Sequence, residues 1–174
     1  EYKYFTYPLP GLIAELRSAA YPPLAGVANR WNAAMRIDTR YPEDLETFRR
    51  QSLPGSVATL QGVKILMQAI EVTGPVFEQE RGEHAFTLQM AILLSEPGRD
   101  FTGGEFVLTE QRPRMQSRAT VVPLSRGDAV IFAVHHRPTQ GARGVSKVNV
   151  RHGVSELRSG SRHTLGIIFH DAKS

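Results

Sequence analysis

The sequence predicts a mainly β domain with N-terminal helices, built as an antiparallel sandwich or jelly roll. Three observations point there. Apolar residues recur at helical spacing only within residues 1–55. Across residues 60–171 the chain instead falls into short apolar or alternating runs bounded by Gly, Pro or charge. No helical pattern separates one run from the next, whereas a parallel doubly wound sheet needs a crossover helix between its strands.

Residues 9–20 place Leu12, Ile13, Leu16, Ala19 and Ala20 on a helical face. Tyr21-Pro22-Pro23 is expected to break that helix, because proline lacks an amide hydrogen and crowds the preceding turn. A second helix is expected over residues 24–35, with Val27, Trp31 and Met35 spaced by four. Tyr21 and Trp31 read as helix-face core. Pro42, Glu43 and Asp44 read as the first turn of a third helix reaching about Arg50, which Leu53-Pro54-Gly55 ends. Seven strands are expected at residues 63–72, 86–94, 105–108, 119–122, 129–134, 148–154 and 164–169. Pro97-Gly98, Gly103-Gly104, Arg126-Gly127-Asp128 and Ser159-Gly160-Ser161 are expected to turn the chain between them. No repeat or linker divides the sequence, so residues 1–174 read as one domain with a helical part (1–55) and a β core (60–171).

The composition, 41% hydrophobic and 22% charged over 174 residues, is that of a globular domain. No apolar run nears the roughly 20 residues of a membrane span, and no charged-then-apolar leader is read at the N-terminus, which opens on Glu1. The lack of cysteine removes disulfides, a thiolate nucleophile and the common Cys-type zinc site, and it suits a reducing cytoplasm. The net charge of +4 is unevenly placed. Between Gln111 and Arg162 ten Lys or Arg residues meet only Asp128 and Glu156, a balance of +8 that leaves −4 elsewhere. Such a half attracts a polyanion such as nucleic acid, or an anionic small molecule. The plainer reading is a solvated basic face. Oligomeric state leaves no mark in the sequence. No Gly-x-Gly-x-x-Gly, Gly-Lys-Ser/Thr or Gly-x-Ser-x-Gly motif occurs, which argues against nucleotide hydrolysis and serine-hydrolase chemistry.

Of the six histidines, His152 has the most telling surroundings. It lies on one expected strand, a Gly-containing turn follows, and Arg162 opens the next strand. An antiparallel hairpin would point both side chains into one cavity. There the imidazole can ligate a metal and the guanidinium can take a carboxylate in a two-point fork. Thr164, two residues further on, returns to the same face and offers its hydroxyl to the same anion. His163 alternates away. His135-His136-Arg137-Pro138, with Gly141-Ala142-Arg143-Gly144 after it, reads as a connection or as a phosphate-binding cover. His170-Asp171 reads as a strand end.

On these residues the sequence resembles the 2-oxoglutarate/Fe(II)-dependent dioxygenases of the prolyl-hydroxylase branch. His152-x-Val154 followed by Gly160-x-Arg162-x-Thr164-Leu165 is similar to that family's last two core strands. Phe101-Thr102-Gly103-Gly104-Glu105-Phe106 and Gly127-Asp128-Ala129-Val130-Ile131-Phe132 resemble its Gly-Gly turn and the strand before its distal histidine. Residues 93–171, with the early segment from Tyr7-Pro8-Leu9-Pro10 through Asn32-Ala33-Ala34, resemble more narrowly a bacterial oxygenase family described as acting oxidatively on damaged, alkylated DNA. The resemblance implies a double-stranded β-helix (jelly roll) holding Fe(II) through two His and one carboxylate, with positions open for 2-oxoglutarate and O₂. Oxidation of a nearby C–H would follow, and a hydroxylated N-alkyl group leaves as aldehyde. His152 is then the distal ligand, Arg162 binds the far carboxylate of 2-oxoglutarate, and Thr164 assists.

One departure stands out. The family's His-x-Asp pair should lie just upstream of Gly82-Glu83-His84, where this chain has Glu78-Gln79-Glu80, and residues 50–77 match poorly. Three readings stand. Glu78 or Glu80 ligates iron beside His152, since a Glu-x-Glu on a strand puts both carboxylates on one face. Alternatively the metal is lost, leaving a non-catalytic binding module, with both glutamates solvent-exposed. In the third, the printed chain departs from the natural gene over this stretch. His84 stays unassigned. The expected activity is oxidative dealkylation of damaged nucleic acid. A prolyl-type protein hydroxylase and the metal-free module are the alternatives.

Overall fold

One helix, α1 (Gly11–Ala34), occupies the stretch where two were expected, and it continues through Pro22 and Pro23. The prolines cost it two backbone hydrogen bonds, of order 3 kcal/mol each in a helix interior. Packing on both sides of them offsets that cost. Tyr21 is fully buried, and Leu24, Ala25 and Ala28 continue the buried face. One turn earlier the buried Arg17 donates through Nε to the Ile168 carbonyl (2.9 Å) and through Nη2 to the Phe169 carbonyl (3.0 Å). Its Nη1 reaches the Tyr7 hydroxyl at 2.6 Å. The next helix, α2 (Leu45–Ser52), starts later than expected. Asp44 caps it by accepting the Thr47 amide at 2.8 Å, so Pro42 lies before the helix rather than in its first turn.

The computed structural model describes residues 2–52, 63–69, 76–78, 86–111, 116–141 and 144–169, with the backbone alone at 2, 52, 63–69 and 76–78. The described strands are β1 (Tyr2–Tyr4), β2 (Val63–Ala69), β3 (Val76–Glu78), β4 (Leu88–Leu93), β5 (Phe101–Gly103) and β6 (Phe106–Gln111). After them come β7 (Arg118–Val122), β8 (Ala129–Ala133), β9 (His136–Gly141), β10 (Gly144–Val154) and β11 (Leu157–Ile167). All seven expected strands are present, and β1, β3, β5 and β9 are additions. The mainly β architecture with N-terminal helices is therefore observed.

The strands form two antiparallel sheets, ordered β1-β2-β11-β4-β8 with β5 on β11, and β3-β10-β6-β7 with β9 on β10. The first sheet is sided. Leu88, Met90, Leu165 and Ile167 pack toward the helices with Tyr21, Leu24, Phe48, Phe86 and Phe169. Residues on its other face meet the second sheet, where Ala91, Phe106 and Phe132 form a smaller core with Leu108, Val122, Leu124 and Val130. Among the described residues no helix is long and apolar enough to cross a membrane.

Two local expectations are corrected. Ser159-Gly160-Ser161 is no turn but part of β11, and the register slips between Leu157 and Ser159. Gly160 adopts φ +79°, and a Cβ there would sit 2.0 Å from the Asp100 carbonyl oxygen, so only glycine permits the close approach. The irregularity lets β11 leave β5 and continue between β2 and β4. Residues 136–141 likewise form β9 rather than a loop. Its Pro138 is tolerated because β9 pairs only with β10, at a sheet edge.

Candidate active site

From Lys147 to His152, β10 alternates between the two faces of the second sheet. Val148, Val150, His152 and Val154 are buried, while Lys147 and Arg151 are exposed. His152 therefore faces the first sheet and is 8% exposed. Its ring lies 4.4 Å from Phe132 and 6.3 Å from Phe106, centroid to centroid, so two aromatic walls limit its orientation. Cross-strand register places Leu108 of β6 on one side of it and position 78 of β3 on the other. The backbone thus sets Glu78 directly opposite His152.

From the facing sheet, β11 turns Arg162, Thr164 and Gly166 toward the same space. A cavity of about 60 Å³ is lined by His152, Phe106, Phe132, Gln89, Arg162 and Thr164 among others. The expected meeting of His152 with Arg162 is observed, but not through a hairpin. β10 and β11 belong to different sheets, so the imidazole and the guanidinium approach across the sandwich. Residue spacing in the sequence is the same for either arrangement.

Arg162 is 1% exposed. Its Nη1 donates to the Thr164 hydroxyl at 2.5 Å, and its guanidinium carbon lies 5.9 Å from the Phe101 ring centroid. Burial pushes its pKa down to about 10, because desolvation penalises the charged form. An anion admitted beside it therefore gains more than it would from an exposed arginine. Gly104, at φ +64°, makes room for this side chain, since a Cβ there would come within 3.0 Å of Arg162 Cδ. Arg162 also borders a second cavity of about 420 Å³, lined by Phe101, Gly103, Gly104 and Leu124 among others.

The other described histidines, His135, His136 and His163, stand apart from this cavity. His163 turns to Ser95, whose hydroxyl lies 3.3 Å from Nδ1 and accepts the His163 amide at 2.9 Å. His135 precedes β9 and His136 opens it. Burial, then Lys147 and His135, hold the His136 imidazole below its ordinary pKa. Gly141 and Gly144 pair where β9 ends and β10 begins, and Ala142 and Arg143 between them lie outside the described residues. Glu80, His84 and His170-Asp171 fall outside the described residues, as do Arg112, Arg114 and Arg143. Among the described residues no three His, Asp or Glu side chains gather as a metal site.

Sequence reasoning quoted Phe101, Gly104, Phe106 and Phe132 within the family-like motifs but gave them no place in the site. It missed Gln89, whose signal is to be the one polar residue inside the run Leu88–Leu93. Gln89 is 6% exposed. Phe106 and Phe132 read as ordinary strand core until the sheets face each other.

A family model described as an oxygenase catalysing oxidative methylation of damaged DNA matches residues 1–172. The chain belongs to this oxygenase family. The oxygenase is also 39% identical over 168 residues to two uncharacterized proteins of Mycobacterium tuberculosis, MT2286 (strain CDC 1551 / Oshkosh) and Rv2227 (strain H37Rv). Each match covers 97% of this chain and 72% of the relative. A crystal structure of an oxidoreductase of the 2OG-Fe(II) oxygenase family from Burkholderia pseudomallei is similar at 19% identity and a TM-score of 0.39. That match covers 68% of the oxygenase, which spans 50% of the Burkholderia chain.

Proposed function

We propose that the oxygenase is an Fe(II)- and 2-oxoglutarate-dependent dioxygenase that removes alkyl groups oxidatively from damaged nucleic acid. The observation that carries this reading is the meeting of His152 and Arg162, from two different sheets, in one buried cavity. The strand orders β2-β11-β4-β8 and β3-β10-β6-β7 support a double-stranded β-helix as its frame.

The described side chains fit the dicarboxylate, and the strand register offers donor positions for the metal. A buried guanidinium, a hydroxyl beside it and apolar walls suit a dicarboxylate with a methylene stem. An imidazole and a carboxylate position set opposite each other in register offer the nitrogen and oxygen donors that Fe(II) accepts. His152 would hold the iron with Glu78 or Glu80. Bound iron with 2-oxoglutarate supplies O₂ activation for hydroxylating a nearby C–H. Arg162 binds the far carboxylate in a fork, and Thr164 orients that fork through its hydroxyl. Phe106 and Phe132 exclude water and fix the plane of the His152 ring. The basic half between Gln111 and Arg162 supplies charge for the nucleic acid, and a reducing cytoplasm suits a cysteine-free chain.

One observation favours the metal-free binding module: only His152 among the described side chains brings a metal donor to the cavity. Incubation with Fe(II), 2-oxoglutarate and either an N-alkylated oligonucleotide or a proline-rich peptide separates the readings. The proposal expects succinate and aldehyde in proportion with the oligonucleotide. Succinate formation coupled to the peptide alone identifies a protein hydroxylase. Absence of stoichiometric iron binding identifies the silent module.

A further inference from the structure

β10 presents a second set of side chains on the side away from the cavity. Lys147 and Arg151 are exposed there, with half-buried Asn149 between them at alternate positions. Register sets Thr109 and Gln111 of β6 against Arg151 and Asn149. On the other flank it sets His136 and Pro138 of β9 against Asn149 and Lys147. The face is therefore cationic and rich in neutral hydrogen-bonding groups.

No acid among the described side chains competes on it, and Glu78 of the neighbouring β3 is set by register opposite inward-facing His152. β6, β7, β9 and β10 together contain one carboxylate, Glu110. Glu110 lies opposite inward-facing Val150, and Arg137 binds it in a fork through Nε (2.5 Å) and Nη2 (2.8 Å). Nothing acidic on these strands shields Lys147 or Arg151. At about 3.3 Å per residue the two cations stand about 13 Å apart along the strand. That spans about four nucleotides at the 3.4 Å rise of one DNA strand.

We infer that this outer face, centred on Lys147, Asn149 and Arg151, grips the sugar–phosphate backbone of the nucleic-acid strand at nucleotides flanking the oxidised one. The inference rests on the nucleic-acid reading above and adds to it the surface that does the holding. β10 then has two jobs, turning His152 inward to the chemistry and its neighbours outward to the phosphates. Lys147 contributes a point charge and Arg151 a fork for phosphate oxygens. Thr109, Gln111 and Asn149 provide neutral hydrogen bonds, so the grip carries no base preference.

The test is the affinity of the full chain for a single-stranded oligonucleotide, followed from low to high salt. Each phosphate-bound cation contributes about 0.7 to the slope of log affinity against log salt. The double variant Lys147→Gln/Arg151→Gln should flatten that slope by about 1.4 and weaken binding about 25-fold at 0.1 M salt. Its 2-oxoglutarate affinity should stay unchanged. Arg30→Gln, which removes an exposed cation from α1 outside the basic half, serves as the control and should change the slope little. An unaltered slope and affinity in the double variant, or an equal loss in the control, overturns the inference while leaving the nucleic-acid reading intact. A wild-type chain that binds no oligonucleotide at any salt overturns both.

Discussion

The two sides of the first sheet are built for different ends. Toward the helices, Phe86 lies 4.7 Å from Tyr41, 5.2 Å from Tyr21, 5.3 Å from Phe169 and 5.7 Å from Phe48, a closed aromatic cluster. Toward the second sheet, the same strands present Gln89, Arg162, Thr164 and Gly166 around a hollow. β11 shows the contrast most plainly. Its Leu165 and Ile167 enter the aromatic side, and Arg162 and Thr164 enter the hollow. A fold selected for stability alone would fill both sides with hydrocarbon, because a buried guanidinium is costly to desolvate. The lesson is a division of labour, with stability on the helix side and ligand binding on the other.

Substitutions on each side should break or sharpen that division. The largest effect belongs to Phe86→Ala, which empties the centre of the aromatic cluster. It should cost about 3–5 kcal/mol of folding free energy in a denaturant titration. A loss under 1 kcal/mol would show that the helix side does not carry the stability. Next comes Arg162→Ala. It should lower 2-oxoglutarate affinity about 100-fold, since one hydrogen bond to a charged group is worth about 1.5–3 kcal/mol. Isothermal titration reads this directly, and an unchanged affinity removes Arg162 from the site.

Smaller effects sharpen the same line. Thr164→Val keeps the volume but removes the hydroxyl that accepts from Arg162. A 3- to 10-fold loss of 2-oxoglutarate affinity is expected, with a melting temperature close to wild type. The smallest effect is at Tyr21, whose buried hydroxyl has no hydrogen-bond partner among the described residues. Desolvation, then Tyr41 and Asp44, raise its pKa well above the ordinary phenol value. Tyr21→Phe should therefore leave stability unchanged or raise it by up to about 1 kcal/mol. A clear loss would reveal a role for that hydroxyl.

Much of this division can be read along the chain, and the parts that cannot have physical causes. Short apolar runs bounded by Gly, Pro or charge mark β2, β4, β6, β7, β8, β10 and β11. The continuity of α1 is not legible. Local rules weigh Pro22 and Pro23 against the helix, while the packing of Tyr21, Leu24 and Ala28 on β4 and β11 outweighs them only in three dimensions. β5 and β9 are short edge pieces holding Gly103 and Pro138, residues that locally argue against strand. The pairing of His152 with Arg162 is legible as a meeting but not as a route, since spacing does not say which sheet a strand joins. Phe106 and Phe132 look like any core phenylalanine until the imidazole is set between them.

The central claim is that one hollow between two sheets seats a ketoacid and a transition ion, with His152 on one wall and Arg162 on the other. The most direct measurement is a crystal structure of the oxygenase with Fe(II) and 2-oxoglutarate under anaerobic conditions, phased to show iron by anomalous scattering. The account predicts an iron peak within bonding distance of the His152 imidazole and a carboxylate of 2-oxoglutarate forked on Arg162. An iron peak remote from His152, or a cavity closed by side chains with the ketoacid excluded, would contradict it.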